Sequence, residues 1–298
     1  MKWWTRMKLT KLIKSVIVFT SLFFVVAANA AQVSQTIPYY GEQFYHDLAT
    51  GVSDKDLVTN VKAVLRSFHV PQEGGLDQLV TSCNAQKGCY SHQKIGYGAA
   101  RVWLMGKFYL TFDDATKSYA VKDVYCDKLK TGDDFRKEEP TPNKIPDNTV
   151  INVEHTWPQS RFSRSFDKET QKSDLHHLFP TDSQLNAIRG NNWFGEVTTE
   201  TQTLKCKASR FGIGSAGTEE IFEPPQNHKG RVARALFYFS LRYDLQISSE
   251  EEAILKKWNH ENPVDEEEAR RNNEIFAAQG NRNPFVDYPE LADSISDF

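Results

Sequence analysis

The stretch Asn148–Ser160, NTVINVEHTWPQS, decides how this chain is read. Its apolar residues alternate up to Val153, which is the period of a strand. A strand is therefore expected over about residues 149–156. It ends in Glu154 and His155, an acid and an imidazole side by side, and Trp157-Pro158 follows. Neighbours on a regular strand point to opposite faces. A kink near Trp157-Pro158, or twist at the strand end, would let both reach one cleft. Taken alone, the pair also fits a surface strand with a structural histidine.

Further polar residues that a core does not need follow, as far as Asn192. LHHLF reads as a second strand over about 175–179. On such a strand His176 and His177 alternate, so at most one faces the cleft; packing beneath it is the expectation. The segment RFSRSFDKETQKSD between the strands reads as a polar connection. DSQLNAIRGNNW reads as a helix over about 182–190, opened by a capping Asp182 and closed near Gly190. Asn186 and Arg189 are three residues apart on it and share a face. One carboxylate and one amide oxygen suit a hard cation such as Mg²⁺. A histidine accepts a proton from water near neutral pH. An arginine stabilises charge growing on phosphate oxygens. These are the parts of metal-assisted phosphodiester hydrolysis.

The chain opens with five basic residues (Lys2, Arg6, Lys8, Lys11, Lys14), an apolar run from about Leu12 to Ala28, and Ala28-Asn29-Ala30. That is the order of a signal peptide with its cleavage site, over residues 1–30. A membrane anchor is the rival, and the Ala-rich end favours cleavage. Without residues 1–30 the chain keeps 31 of its 36 basic residues against 39 acids, a net −8. From Leu245 onward five basic and 13 acidic residues also give −8, so the excess lies at the C-terminal end, as a solvated surface. A globally basic nucleic-acid binder is not indicated; a local patch is still open. Four cysteines in an exported chain suggest two disulfides, with three pairings open. The close pair in CNAQKGC favours Cys83–Cys89, and then Cys126–Cys206. Zinc is disfavoured because no C-x-x-C is present.

Elsewhere, helices are expected in DKDLVTNVKAVLRSFHV, in SHQKIGYGAARVWLMGKFYL from near Gly98, in HKGRVARALFYFSLRYDL, in SEEEAILKKWNHENP and in DEEEARRNNEIFAAQG. A strand is expected over Tyr119–Cys126, and loops in DDFRKEEPTPNKIPDN and NRNPFVDYPEL. The fold class is helix-rich α+β. Residues 31–298 read as a single domain, with the strand–strand–helix core at 148–195 and a helical C-terminal part at 228–298. Lys229, Arg231 and Arg234 are candidates for phosphate-backbone contact, with Lys94 and Arg101 weaker ones. Asn191 and Asn192 read as cap or substrate contact. Trp193, Phe237, Tyr238 and Phe239 read as core.

VEHTWPQS followed by SDLHHLFPTDSQLNAIRGNNWFGEV resembles the bacterial endonuclease I family, exported sequence-nonspecific nucleases with a ββα-metal finger. GYGAARVWLMGKFYL, FEPPQNHKGRVARALFYFSLRYDL and QGNRNPFVDYPE extend the likeness to about Ile95–Glu290. The resemblance implies Glu154 and Asn186 as ligands of one divalent cation, Mg²⁺ first and Ca²⁺ or Mn²⁺ as alternatives. It implies His155 as general base, with activity falling as pH drops through roughly 6 to 7. It implies an arginine beside the scissile phosphate, Arg161 or Arg164. Arg189, Asn191 and the cations above would meet the nucleic-acid backbone. The products would carry 5′-phosphate and 3′-hydroxyl ends. The chain departs from the best-known members in its shorter connection after His155 and in His177, where they carry Asn. DNA is the expected substrate and RNA a second, with a ribonuclease of the same fold as alternative. A monomeric, periplasmic or secreted enzyme without a membrane anchor follows. A non-catalytic exported binding protein is the rival class. A zinc peptidase is disfavoured, since Glu-His is not His-Glu-x-x-His.

Overall fold

The computed structural model describes Met1 and residues 36–298, except 85, 86, 216 and 218. Apart from Met1, the expected signal peptide lies outside the described residues. Helices α1 (Gly41–Thr50) and α2 (Asp54–Arg66) come first. Leu57, Val61, Val64 and Leu65 place one apolar stripe of α2 in the core. The hairpin β1 (Phe68–Val70) and β2 (Gln78–Val80) follows. Helix α3 starts at Tyr97, one residue before Gly98, and runs to Trp103; a π-helical turn continues it over Leu104–Phe108. Three antiparallel strands come next, β3 (Leu110–Asp113), β4 (Ser118–Asp123) and β5 (Lys128–Lys130).

The central motif is β6 (Ile151–His155), α4 (Lys168–Ser173), β7 (Leu178–Asp182) and α5 (Ser183–Arg189). Strands β6 and β7 pair antiparallel, with Glu154 opposite Phe179 and His155 opposite Leu178. Two expectations are corrected here. The connection is not merely a polar loop, because Asp167 caps α4 by accepting from the Thr170 amide at 2.7 Å. The second strand starts at 178 rather than 175. The Asp174 carboxylate accepts the His176 amide, and the His177 amide reaches the Asp174 carbonyl, so Leu175–His177 closes into a 3₁₀ turn. His176 and His177 therefore do not alternate on a strand; both are buried. Helix α5 begins where expected, with the Asp182 side chain accepting from the Gln184 and Leu185 amides. Gly190, at φ +56°, ends it in a backbone conformation that favours glycine.

A sheet of order β8–β11–β10–β9 follows, made of β8 (Trp193–Phe194), β9 (Val197–Gln202), β10 (Arg210–Gly214) and β11 (Glu220–Glu223). The remaining helices are α6 (Gln226–Tyr243), α7 (Ser249–Glu261), α8 (Glu266–Gln279) and the short α9 (Pro284–Asp287). The last two segments include structure where a loop was expected, since Pro289–Ser294 is also a 3₁₀ helix. Helix α6 is buried nearly all round and forms the axis of the core, with Val232, Leu236, Phe237, Tyr238 and Phe239 enclosed. Disulfides join Cys83 to Cys89 and Cys126 to Cys206. Among the described residues, no helix is long and apolar enough to cross a membrane.

Candidate nuclease cleft

Glu154, His155 and Asn186 border one cleft of about 300 Å³, together with Pro158, Gln159, Ser160, Arg189, Gly190 and Asn191. The geometric difficulty posed by adjacent strand positions is met at the end of β6. Glu154 turns toward α5, and His155, the last strand residue, turns toward the end of α4. Their shared cleft lies at the strand terminus.

His155 is 7% exposed. Its Nε2 lies 3.1 Å from the Lys172 carbonyl. A carbonyl only accepts, so Nε2 carries the ring proton and Nδ1 keeps the lone pair. The Gln159 amide, 3.4 Å from Nδ1, marks the open side. Burial pushes the His155 pKa well below the ordinary range, and the neighbouring His177 pushes the same way. Burial thus favours the neutral ring, the form that accepts a proton.

Glu154 is 2% exposed. Burial pushes its carboxyl up to about 7, opposed by Arg189 and by the Tyr125 hydroxyl. Arg189 Nη1 stands 2.8 Å from Glu154 Oε1, yet its hydrogens aim elsewhere. They serve the His155 carbonyl at 3.1 Å and the Thr156 carbonyl at 2.7 Å. Glu154 Oε1 is consequently buried with no hydrogen-bond donor directed at it. The Asn186 amide donates to Asn152 Oδ1 at 2.7 Å and to the Val153 carbonyl at 3.1 Å. Both donors are spent on β6, so Oδ1 is the group it offers the cleft. An unsatisfied carboxylate oxygen and an amide oxygen on one cleft fit a hard divalent cation. Asp123, Cys126 and Asp182 also lie close together. They do not fit one, because the Cys126 sulfur is in a disulfide and Lys130 and Lys205 reach Asp182 Oδ2 at 3.0 and 2.7 Å.

Several expected nucleic-acid contacts are corrected. Arg189 lines the cleft but is 2% exposed and ties the end of β6 to α5. Arg234 is 1% exposed and bonded to Glu268 and Asn259. Arg231 is held by Asp265 and Glu267, and Lys229 by Glu223 at 2.7 Å. Those side chains are enclosed by acids from distant elements, so none offers its charge to a backbone phosphate. Asn191 is exposed at the cleft edge. Arg161 does not line the cleft, although the adjacent Ser160 does; its guanidinium lies 3.3 Å from the centroid of the Trp193 ring. Trp193 is half-buried rather than core. Arg164 is exposed, with no partner among the described residues. Lys94 pairs with Asp167, and Arg101 lies over Tyr97. His176 and His177 bond the Asn281 and Gln171 carbonyls and support the cleft from below. Four contributors were not found in the sequence: the Lys172 carbonyl, Gln159, Tyr125 and Asn152. Only Asn152 carried a signal, two residues before Glu154 on the same strand face.

The family model for Endonuclease I matches residues 83–290. An extracellular ribonuclease of Bacillus subtilis (strain 168) is 36% identical over 162 residues, 48% of this chain and 53% of that protein. An extracellular ribonuclease of Bacillus amyloliquefaciens is 37% identical over 164 residues, with 48% and 53% covered. A periplasmic deoxyribonuclease of Aeromonas hydrophila is 30% identical over 127 residues, with 42% and 51% covered. The chain spans about half the length of these curated relatives. The family model covers well over half of the chain, which therefore belongs to the endonuclease I family.

Proposed function

We propose that the chain is an exported, metal-dependent endonuclease, with β6, β7 and α5 forming a ββα-metal finger. The observation that carries this reading is the shared cleft of Glu154, His155 and Asn186, in which Glu154 Oε1 is buried without a hydrogen-bond donor. Glu154 and Asn186 would hold one divalent cation, Mg²⁺ being the best match to two oxygen donors. When bound, such an ion supplies Lewis-acid stabilisation of charge on the phosphate. His155 takes the proton of the attacking water at Nδ1. The Lys172 carbonyl fixes the ring tautomer and steadies the imidazolium that results. Arg161, beside Ser160 of the cleft, is better placed than Arg164 to meet phosphate charge. Cleavage on the 3′-oxygen side leaves 5′-phosphate and 3′-hydroxyl ends.

Relatives named extracellular or periplasmic, and two disulfides, support an extracytoplasmic location. DNA is the first substrate in this reading. A ribonuclease is the second, favoured by the higher identity to the two Bacillus ribonucleases. Parallel digests of plasmid, single-stranded DNA and structured RNA, with Mg²⁺ and with EDTA, order these substrates. His155→Ala should lower the rate by about 10²–10⁴-fold with unchanged melting. Full activity in that variant would sink the assignment.

A further inference from the structure

A second cavity, of about 440 Å³, adjoins the cleft and differs from it in character. Its walls are largely apolar: Trp193, Phe194, Ile221 and Ile254. Gly195 and Gly214 also line it, and a Cβ on either would stand 2.7 Å from Ile221 Cδ1. The two glycines therefore let Ile221 lie flat and give the cavity a smooth floor. Its size is that of small-ligand pockets, roughly 300–1,000 Å³.

Two chain segments run from the cleft to this cavity. Gln159 and Ser160 border the cleft, and Arg161 next to them lies against the Trp193 ring. Gly190 and Asn191 border the cleft, and Trp193 two residues on walls the cavity. The Arg161–Trp193 contact thus links the rim of the cleft to the wall of the cavity.

The rest of the lining is Glu196, Glu219, Glu250 and Glu251 with Ser215, Gly217 and Ser248. Glu196 is already engaged by Lys257 at 2.7 Å. Glu251 is not: it is 5% exposed, and its Oε1 accepts the Phe194 amide at 3.0 Å. Its Oε2 has no hydrogen-bond partner among the described residues. A free carboxylate oxygen in an apolar wall matches a flat ring with N–H donors. Among the common bases, guanine alone presents two adjacent donors, N1–H and N2–H, to one carboxylate. Adenine and cytosine place an acceptor beside their amino group, and thymine and uracil flank one N–H with two carbonyls.

We propose that this cavity is a nucleobase pocket that takes a guanine of the strand lying across the cleft, with Glu251 accepting from its N1–H and N2–H edge. Single-stranded and splayed bases are recognised in this manner, by stacking and by their Watson–Crick edges. The pocket rests on the endonuclease reading. It adds a base preference at one flanking position to backbone-driven cleavage.

The test is cleavage of single-stranded DNA carrying one guanine in a thymine tract, with the ends mapped. Wild-type protein should cut one bond at a fixed offset from the guanine about 5-fold or more above the tract average, the low end of a bidentate contact. Glu251→Gln keeps the acceptor for the Phe194 amide but turns an amino group on the base. Ile254→Phe fills the pocket. Each should bring the enrichment, a ratio within one digest, down to about 1. A flat wild-type profile, or enrichment that survives in both variants, overturns the pocket. Saturation-transfer NMR with deoxyguanosine and with thymidine separates the two readings. Contact with deoxyguanosine that Ile254→Phe abolishes, in a protein that cuts nothing, removes the endonuclease and keeps the pocket. Absence of such contact removes the pocket.

Discussion

Glu154 shows most directly how one side chain couples charge to ligand. Its carboxyl is pushed up to about 7 because burial disfavours the anion more than Arg189 and Tyr125 favour it. A group raised above its unfolded pKa lends stability below that unfolded value, and the stability is lost as pH rises through the folded one. A cation on Glu154 requires the anion, so it restores what rising pH removes. Mg²⁺ should therefore raise the melting temperature more at pH 8 than at pH 5, and Glu154→Gln should abolish the difference. A Mg²⁺ shift that is the same at both pH values would contradict this. Glu154, His155 and Asn186 were legible because their chemistry is concentrated in 33 residues of sequence. Lys229, Arg231 and Arg234 were misread for a physical reason. Helical spacing reports which cations share a face, but not that Glu223, Asp265, Glu267 and Glu268 wait opposite that face.

Element boundaries near the cleft are set by carboxylates, and only some of these could be read in advance. Asp182 was legible as a cap because it stands directly before an apolar-periodic helix. Asp174 was not, since its role depends on Tyr238, Tyr243 and Gln279, which donate to it from α6 and α8. Helix α4 was missed because KETQKS has no apolar period; its cap and its contacts make it a helix. The β8–β11 sheet was missed because β8 has two residues and β9 is mostly exposed and polar. Asp182 joins three elements: it caps α5, neutralises the buried Lys130 of β5 and pairs with Lys205. Asp182→Ala should cost about 3–5 kcal/mol in urea unfolding, since it strands a buried charge as well as losing a cap. Asp182→Asn, which keeps the cap, should cost less. A loss below about 1 kcal/mol for the alanine variant would show that the cap and the pairs carry little.

For the whole molecule, helix-rich α+β and a long helix at α6 with Phe237, Tyr238 and Phe239 in the core were legible, whereas its central place and the contacts among distant elements were not. The two disulfides divide the covalent bracing unequally. Cys126–Cys206 closes a loop of sequence separation 80, and Cys83–Cys89 one of 6. Loop-closure entropy assigns about 4.5 kcal/mol to the former and about 2 to the latter. Replacing Cys126 and Cys206 together by alanine should lower the unfolding free energy about twice as much as replacing Cys83 and Cys89. Equal losses would indicate that native contacts already brace the longer loop.

The hold on His155 has one more consequence. The Nε2 side of its ring is held by the peptide carbonyl of Lys172, while a side chain, Gln159, meets only Nδ1. A carbonyl is supplied by whichever amino acid occupies the position. That contact is therefore set by where the backbone of α4 ends and not by the kind of side chain at 172.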